Sequence, residues 1–238
     1  MLKYIQKKEK FNIKIGSKEV NYIKWTGKHQ RDYLIALEKS KETDVTDKMI
    51  FDSLIKPCVD EKNIVLSQNE QRLLLIDMRK KGIGETFEDE IECPICKNKK
   101  KVKLKLDDII KEFKESKWGV IEKDDIKITI GEIKSNKDKD ILIPSNGAIK
   151  YVFNDFFLHI KSIEYNGEVH EVKNIKIVDK FFQDMPSDVS MYFFQEYEKM
   201  TDKLVLEYDF ICDNEDCDSK IDEPYVVNYD RIPGFLWV

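Results

Sequence analysis

Four of the five cysteines fall into two close pairs, Cys93-Pro94-Ile95-Cys96 and Cys212-Asp213-Asn214-Glu215-Asp216-Cys217. Thiolates spaced by two to four residues on tight turns are the donor set of a structural zinc, which takes four soft ligands in a tetrahedron. The first pair is an ideal half-site and the second a looser one, and 115 residues lie between Cys96 and Cys212. So long a separation is tolerable because the cost of closing a chain loop grows only logarithmically with its length. One metal shared by both pairs is the reading adopted. Four unligated thiols, or two separate or incomplete sites, stay open beside it. A thioredoxin-like role for CPIC would need the pair to open a helix after a strand, whereas KNKKKVKLKL after Cys96 reads as strand. Cys58, in KPCVD, has no sequence partner and reads as a buried small hydrophobe.

Other residue types offer less chemistry. The three histidines do not cluster: His29 lies at a helix start, and His159 and His170 occupy the arms around Asn166-Gly167, where they could face each other. Acidic runs at Glu85, Glu88, Asp89 and Glu90, and at Asp213, Glu215, Asp216 and Asp218, read as solvated faces, with no pair set apart by its surroundings. There is no dinucleotide fingerprint, P-loop or nucleophile elbow, so the expectation is a protein that is not an enzyme. The basic stretch Lys97, Lys99, Lys100, Lys101, Lys103 and Lys105 beside a zinc ribbon could grip phosphates, but Glu88, Asp89, Glu90 and Glu92 on the incoming strand offset it. A zinc-ribbon nucleic-acid binder is therefore the alternative reading.

The elements that must position the cysteines follow from periodicity. FNIKIGSKEVNYIKW at 11–25 alternates around Gly16-Ser17, which predicts a hairpin. Three helices are expected between Lys28 and Arg79; the third opens on Ser67-Gln68-Asn69-Glu70, a capping box, and Gly82 and Gly84 end it. Glu85–Leu106 reads as strand, knuckle, strand. A helix around Asp107–Lys117 is expected next, then short strands at 125–133 and 140–143. Asn166-Gly167 predicts a hairpin over 156–172, and Asn174–Met200 is helical with a break at Met185-Pro186. The strand, knuckle, strand plan then recurs in LVLEYDFICDNEDCDSKIDEPYVVNY. The whole is an α+β chain in which two strand-knuckle-strand hairpins meet at one four-cysteine, zinc-ribbon-like site around a β-rich middle. Its expected parts are 1–84 (hairpin and helical region), 85–110 (first knuckle), 111–203 (inserted α/β region) and 204–238 (second knuckle and aromatic tail).

Composition is compatible with this plan. With 41% apolar and 37% charged residues, and with 13 Phe, 10 Tyr and 3 Trp, the chain has material for a packed interior and is not of the disordered class. The 41 basic and 46 acidic residues are interleaved, which leaves no concentrated positive field for nucleic acid or an anionic membrane. No stretch approaches the ~20 apolar residues of a membrane span, and the start has no apolar run long enough for a signal peptide. The expectation is a protein that stays where it is made or leaves inside an assembly, with thiols that are reduced or metal-bound rather than oxidised.

Taken in order, these features resemble a family of contractile-tailed bacteriophages, the small baseplate hub proteins of T-even-like phages, also described as hub assembly proteins. The matching stretch begins with KPCVDEKNIVLSQNEQRLLLIDMRKKGIGETFEDEIECPIC, an acidic segment, a helix carrying an Asp and an Arg, a Gly-Glu pair and a knuckle. KVKLKLDDI, DIKITIGEI, DFICDNEDC and the closing GFLW continue it, so that the resemblance runs from about residue 28 to the end. It implies that Cys93, Cys96, Cys212 and Cys217 are metal positions and that nothing is catalytic. It also implies a structural or assembly role among hub, tube or tape-measure components, with host cytoplasm during assembly and then the virion tail baseplate as locations. The four-residue second knuckle and the hairpin at 156–172 depart from the family pattern. Finally, Phe235-Leu236-Trp237-Val238 is unusually apolar for a chain end. It can fold back over the second knuckle or dock on a neighbouring subunit, and docking through Phe235, Leu236 and Trp237 is the expectation.

Overall fold

The computed structural model describes residues 9–29, 31–32, 35, 55–61, 64–133, 155–172, 175–217 and 225–226. It is a mixed helix and sheet protein, α+β, that divides into two units: Met1–Lys114 with Lys203–Val238, and Glu115–Asp202. Of the three helices expected between residues 28 and 79, the first is helical wherever it is described, at 27–29, 31–32 and 35, while all of the second but Ile55, the strand expected at 140–143 and the aromatic end at 235–238 lie outside the described residues.

The first unit opens with the antiparallel hairpin β1 (Lys10–Ile15) and β2 (Lys18–Ile23). Gly16 takes φ 58 at its turn, a conformation that costs glycine nothing and other residues a Cβ clash. Helix α1 (Gln68–Gly82) starts at the expected capping box: the Ser67 hydroxyl accepts from the Glu70 amide, and the Glu70 carboxylate accepts from the Ser67 amide. Glu70 is buried, and its charge is met by Lys18 Nζ at 2.9 Å. The Asp and the Arg of this helix both act as anchors. Asp77 accepts a 2.6 Å hydrogen bond from the buried Tyr22 hydroxyl, tying α1 to β2, and burial together with that partner pushes the phenol pKa up. Arg79 is 0% exposed and donates to the carbonyls of Gly84 and Thr86, which fixes where the chain enters the next strand.

That strand is β3 (Thr86–Glu92), paired with β4 (Lys99–Lys105) so that the first cysteine pair sits at the hairpin tip. One turn of helix, α2 (Leu106–Ile109), then leads into β5 (Ile110–Lys114). The helix expected over 107–117 is thus corrected to a single turn and a strand. Leu106 and Ile109 are buried on that turn, while β5 finds its hydrogen bonds on β10 (Lys203–Tyr208), with Leu204 opposite Phe113. Pairing across the sheet overrides the helical preference of the Lys- and Glu-rich segment. A two-residue strand, β11 (Tyr225–Val226), completes the order β11-β10-β5. The ends of β5 and β10 face each other, Lys114 opposite Lys203, so the chain between them leaves and re-enters on one rung of a ladder.

The second unit is a four-stranded antiparallel sheet, β6 (Val120–Lys123), β7 (Ile126–Ile130), β8 (Ile160–Tyr165) and β9 (Glu168–Glu171), with helices α3 (Ile175–Gln183) and α4 (Ser187–Met200). The Asn166-Gly167 turn forms with both residues at positive φ, 52 and 79, as a two-residue hairpin of this twist requires. Its first arm begins later than expected, because residues 155–159 are helical. Phe156 and Phe157 are consecutive and both buried, which a strand cannot achieve against one core. Ile121, Ile128 and Ile163 of the sheet and Phe156, Phe182, Phe193 and Tyr197 of the helices form this unit's own core.

Candidate metal centre

Both cysteine pairs belong to the first unit, and they meet. The four Sγ atoms lie within 4.8 Å of one another, with Cys93 3.8 Å from Cys217 and Cys96 3.6 Å from Cys212. Four sulfurs about 2.3 Å from a zinc sit about 3.8 Å apart along the edges of the tetrahedron. The donor type, number and spacing therefore fit a tetrahedral metal, and the two contacts at 3.8 and 3.6 Å run between the knuckles.

Local chemistry sets each half-site. In the first, the Cys93 amide donates to the Asn98 carbonyl at 2.8 Å and the Lys97 amide to the Cys93 carbonyl at 3.0 Å, so the chain doubles back and turns both sulfurs inward. Lys97 adopts φ 61 at that turn, the left-handed region. Replacing Lys97 by Gly should raise the melting temperature by a few degrees or leave it level, and Lys97→Val should lower it, since a non-glycine residue there costs about 1 kcal/mol and a β-branched one more. Calorimetry of the two variants checks this. In the second half-site the Cys217 amide donates to the Asn214 carbonyl at 2.9 Å, and the Asp216 amide to the Asn214 side chain at 3.2 Å.

Backbone amides also bear on the sulfurs. The Cys96 amide is the main cause of a lowered Cys93 pKa, and the Asn98 amide brings Cys96 down to about 6. The Asn214 amide pulls Cys212 in the same direction, yet burial and the adjoining thiols of Cys96, Cys93 and Cys217 outweigh it and leave Cys212 pushed up to about 11. Four sulfurs this close cannot all hold negative charge unaided, and a divalent cation among them removes the conflict.

Cys93 is fully buried in the first unit's core, and Cys96, Cys212 and Cys217 pack against that core while keeping some exposure. Lys100 adds a link between the knuckles that the sequence did not single out: its ammonium pairs with Asp213 and donates to the Ile211 carbonyl at 3.1 Å. Along the chain it is one lysine in a basic run, with a partner 113 residues away. Three more of the run lie on β4 opposite an acidic stripe, Lys99 facing Glu92, Lys101 facing Glu90 and Lys103 facing Glu88. Ion pairs Lys99–Glu90 at 3.4 Å and Lys97–Glu92 at 3.9 Å neutralise the face further.

None of the remaining candidates is one of the four grouped residues. Cys58 is buried and its thiol is pushed up to about 12 by burial; contrary to expectation it has a neighbour, His29, whose Nδ1 is 3.5 Å from its sulfur. His159 and His170 do not face each other. His159 lies in the helical turn, within 3.0 Å of the Gly131 carbonyl and stacked on Trp118, while His170 stands opposite Ile163 on β9.

A family model described as T4 bacteriophage base plate protein matches residues 6–227. The chain belongs to this T4 baseplate family. The matched span contains both knuckles, the helix with Asp77 and Arg79, and the whole second unit. No curated protein and no solved structure matches. Membership gives the chain a structural role in a bacteriophage tail baseplate, among other baseplate and tail proteins. No helix among the described residues is long and apolar enough to cross a membrane. Phe235, Leu236 and Trp237 fall beyond the matched span and outside the described residues.

Proposed function

We propose that this baseplate protein belongs to the hub region and acts without catalysis, by presenting rigid surfaces to neighbouring subunits, with one structural zinc held by Cys93, Cys96, Cys212 and Cys217. The observation that carries the reading is the convergence of four sulfurs from knuckles more than a hundred residues apart. A metal there would lock the β3–β4 hairpin to the end of β10. Placement in the hub rests on the resemblance of the ordered sequence features to hub proteins. Assembly in the host cytoplasm before incorporation follows from the same resemblance.

The nucleic-acid alternative has less support, because Lys99, Lys101 and Lys103 of β4 face glutamates in register and Lys100 pairs with Asp213. The functional reading is tested by a mass-spectrometric inventory of purified phage particles and of isolated baseplates. The chain should be present in both, enriched with central rather than peripheral components; recovery only in unassembled lysate fractions would make it a transient assembly factor.

We further propose that Phe235, Leu236 and Trp237 dock in a groove of a neighbouring subunit, where aromatic anchors dominate interface energies. Deleting residues 235–238 should leave zinc content and melting temperature nearly unchanged and block incorporation into baseplates. A large drop in melting temperature would assign the tail to the chain's own core.

A further inference from the structure

We propose that the four cysteines are a redox-convertible staple, in which oxidation by a peroxide replaces the metal with two disulfides, Cys93–Cys217 and Cys96–Cys212, that join the same two knuckles. The proposal rests on the reading of this cluster as a metal site. The pairing follows the two contacts that run between the knuckles. The two cross-knuckle contacts, at 3.8 and 3.6 Å, must close by less than about 2 Å to reach a disulfide bond. Each knuckle is also held by its own backbone hydrogen bonds, Cys93 to Asn98 and Cys217 to Asn214, which do not depend on a metal. Cys96, Cys212 and Cys217 keep some exposure, so an oxidant reaches them, whereas Cys58 is buried and is not one of the four grouped cysteines.

The chemistry balances with a peroxide as the two-electron oxidant. The Cys96 thiolate attacks one peroxide oxygen, the O–O bond breaks, and the sulfur becomes a sulfenic acid while hydroxide leaves and is protonated to water. The Cys212 thiolate then attacks that sulfur and expels the second hydroxide, again protonated to water, as the disulfide forms. Cys93 and Cys217 consume a second peroxide in the same way. Disulfide sulfurs are no longer anionic donors, so the cation is released. A baseplate protein is made in a compartment that keeps thiols reduced and then leaves it in a particle. With this pairing the two knuckles stay joined in both environments.

The test begins with the zinc content of the purified full chain and follows zinc release during hydrogen peroxide treatment. Remaining thiols are blocked, and tryptic peptides are mapped without reduction. Both cysteines of the first knuckle fall in the peptide 82–97 and both of the second in 204–220. The expected product is these two peptides joined by two disulfides, assigned by fragmentation to Cys93–Cys217 and Cys96–Cys212. Zinc release should parallel it, and the melting temperature should stay nearer the metal-bound form than the reduced, metal-free one. Separate peptides each with an internal disulfide, sulfinic acids in place of disulfides, or the pairing Cys93–Cys212 with Cys96–Cys217 would overturn the proposal. A chain without metal at the outset would refute the metal reading alone, and peroxide treatment of it would still decide the pairing by the same products.

Discussion

On the proposed zinc site, stripping the metal with a strong chelator should unfold the β3–β4 hairpin and the end of β10 while the β6–β9 sheet stays folded. A structural zinc contributes on the order of 10 kcal/mol of binding energy that is also folding energy, comparable to the whole stability of a domain. Cys93 is buried in the core that contains Phe87, Ile91, Leu104 and Phe210, so losing the metal leaves a cluster of thiols at the edge of that core with only Lys100 bridging the knuckles among the described ion pairs. The second unit has none of the four cysteines and a separate core built on Phe156, Phe193 and Tyr197. Hydrogen exchange by mass spectrometry reads the two units independently. Protection should fall by orders of magnitude at Thr86–Lys105 and persist at Ile126–Tyr165 wherever strands are described. Equal loss in both units, or none in either, would mean that the metal does not carry the first unit's stability.

The second large effect is expected at Arg79, far from any metal ligand along the chain. Arg79→Met keeps the stem's apolar volume but removes the donors to the Gly84 and Thr86 carbonyls. Leaving two part-buried carbonyls short of these donors costs about 3 kcal/mol in total, which for a chain of this size is a fall of about ten degrees in melting temperature. Burial already lowers the pKa of this guanidinium, a sign of how little water reaches it. The knuckle itself is untouched, so zinc content should remain that of the unsubstituted chain. A variant that melts normally would show that the entry to β3 is held by other contacts.

Much of the fold was legible where the signal is local. The Ser67–Glu70 capping box and the Asn166-Gly167 turn encode their own hydrogen bonds or φ values within four residues, and both form as read. The spacing within CPIC likewise marks a close pair of cysteines, and the fold brings the second pair to it. What the sequence concealed depends on partners remote along the chain. Residues 110–114 look helical by composition and become a strand only because β10, some ninety residues later, supplies the other half of the ladder. Lys100 is one charge in a basic run until Asp213 is brought to it. Arg79 is visible as a feature of its helix, but nothing local says that an arginine there is wholly buried. The convergence of the two knuckles could be expected from cysteine chemistry, since four thiols and one metal preference restrict the answer; no comparable rule pairs a lysine with one aspartate among many.

The shared centre is tested most directly by native mass spectrometry of the metal bound to the purified chain and to its Cys96→Ser and Cys212→Ser variants. One zinc per chain is the expected result for the unsubstituted protein, and loss of that zinc from both variants alike. Zinc retained by Cys212→Ser and lost from Cys96→Ser would mean that the first knuckle binds its metal without the second, and that the two halves of the chain are not stapled through it.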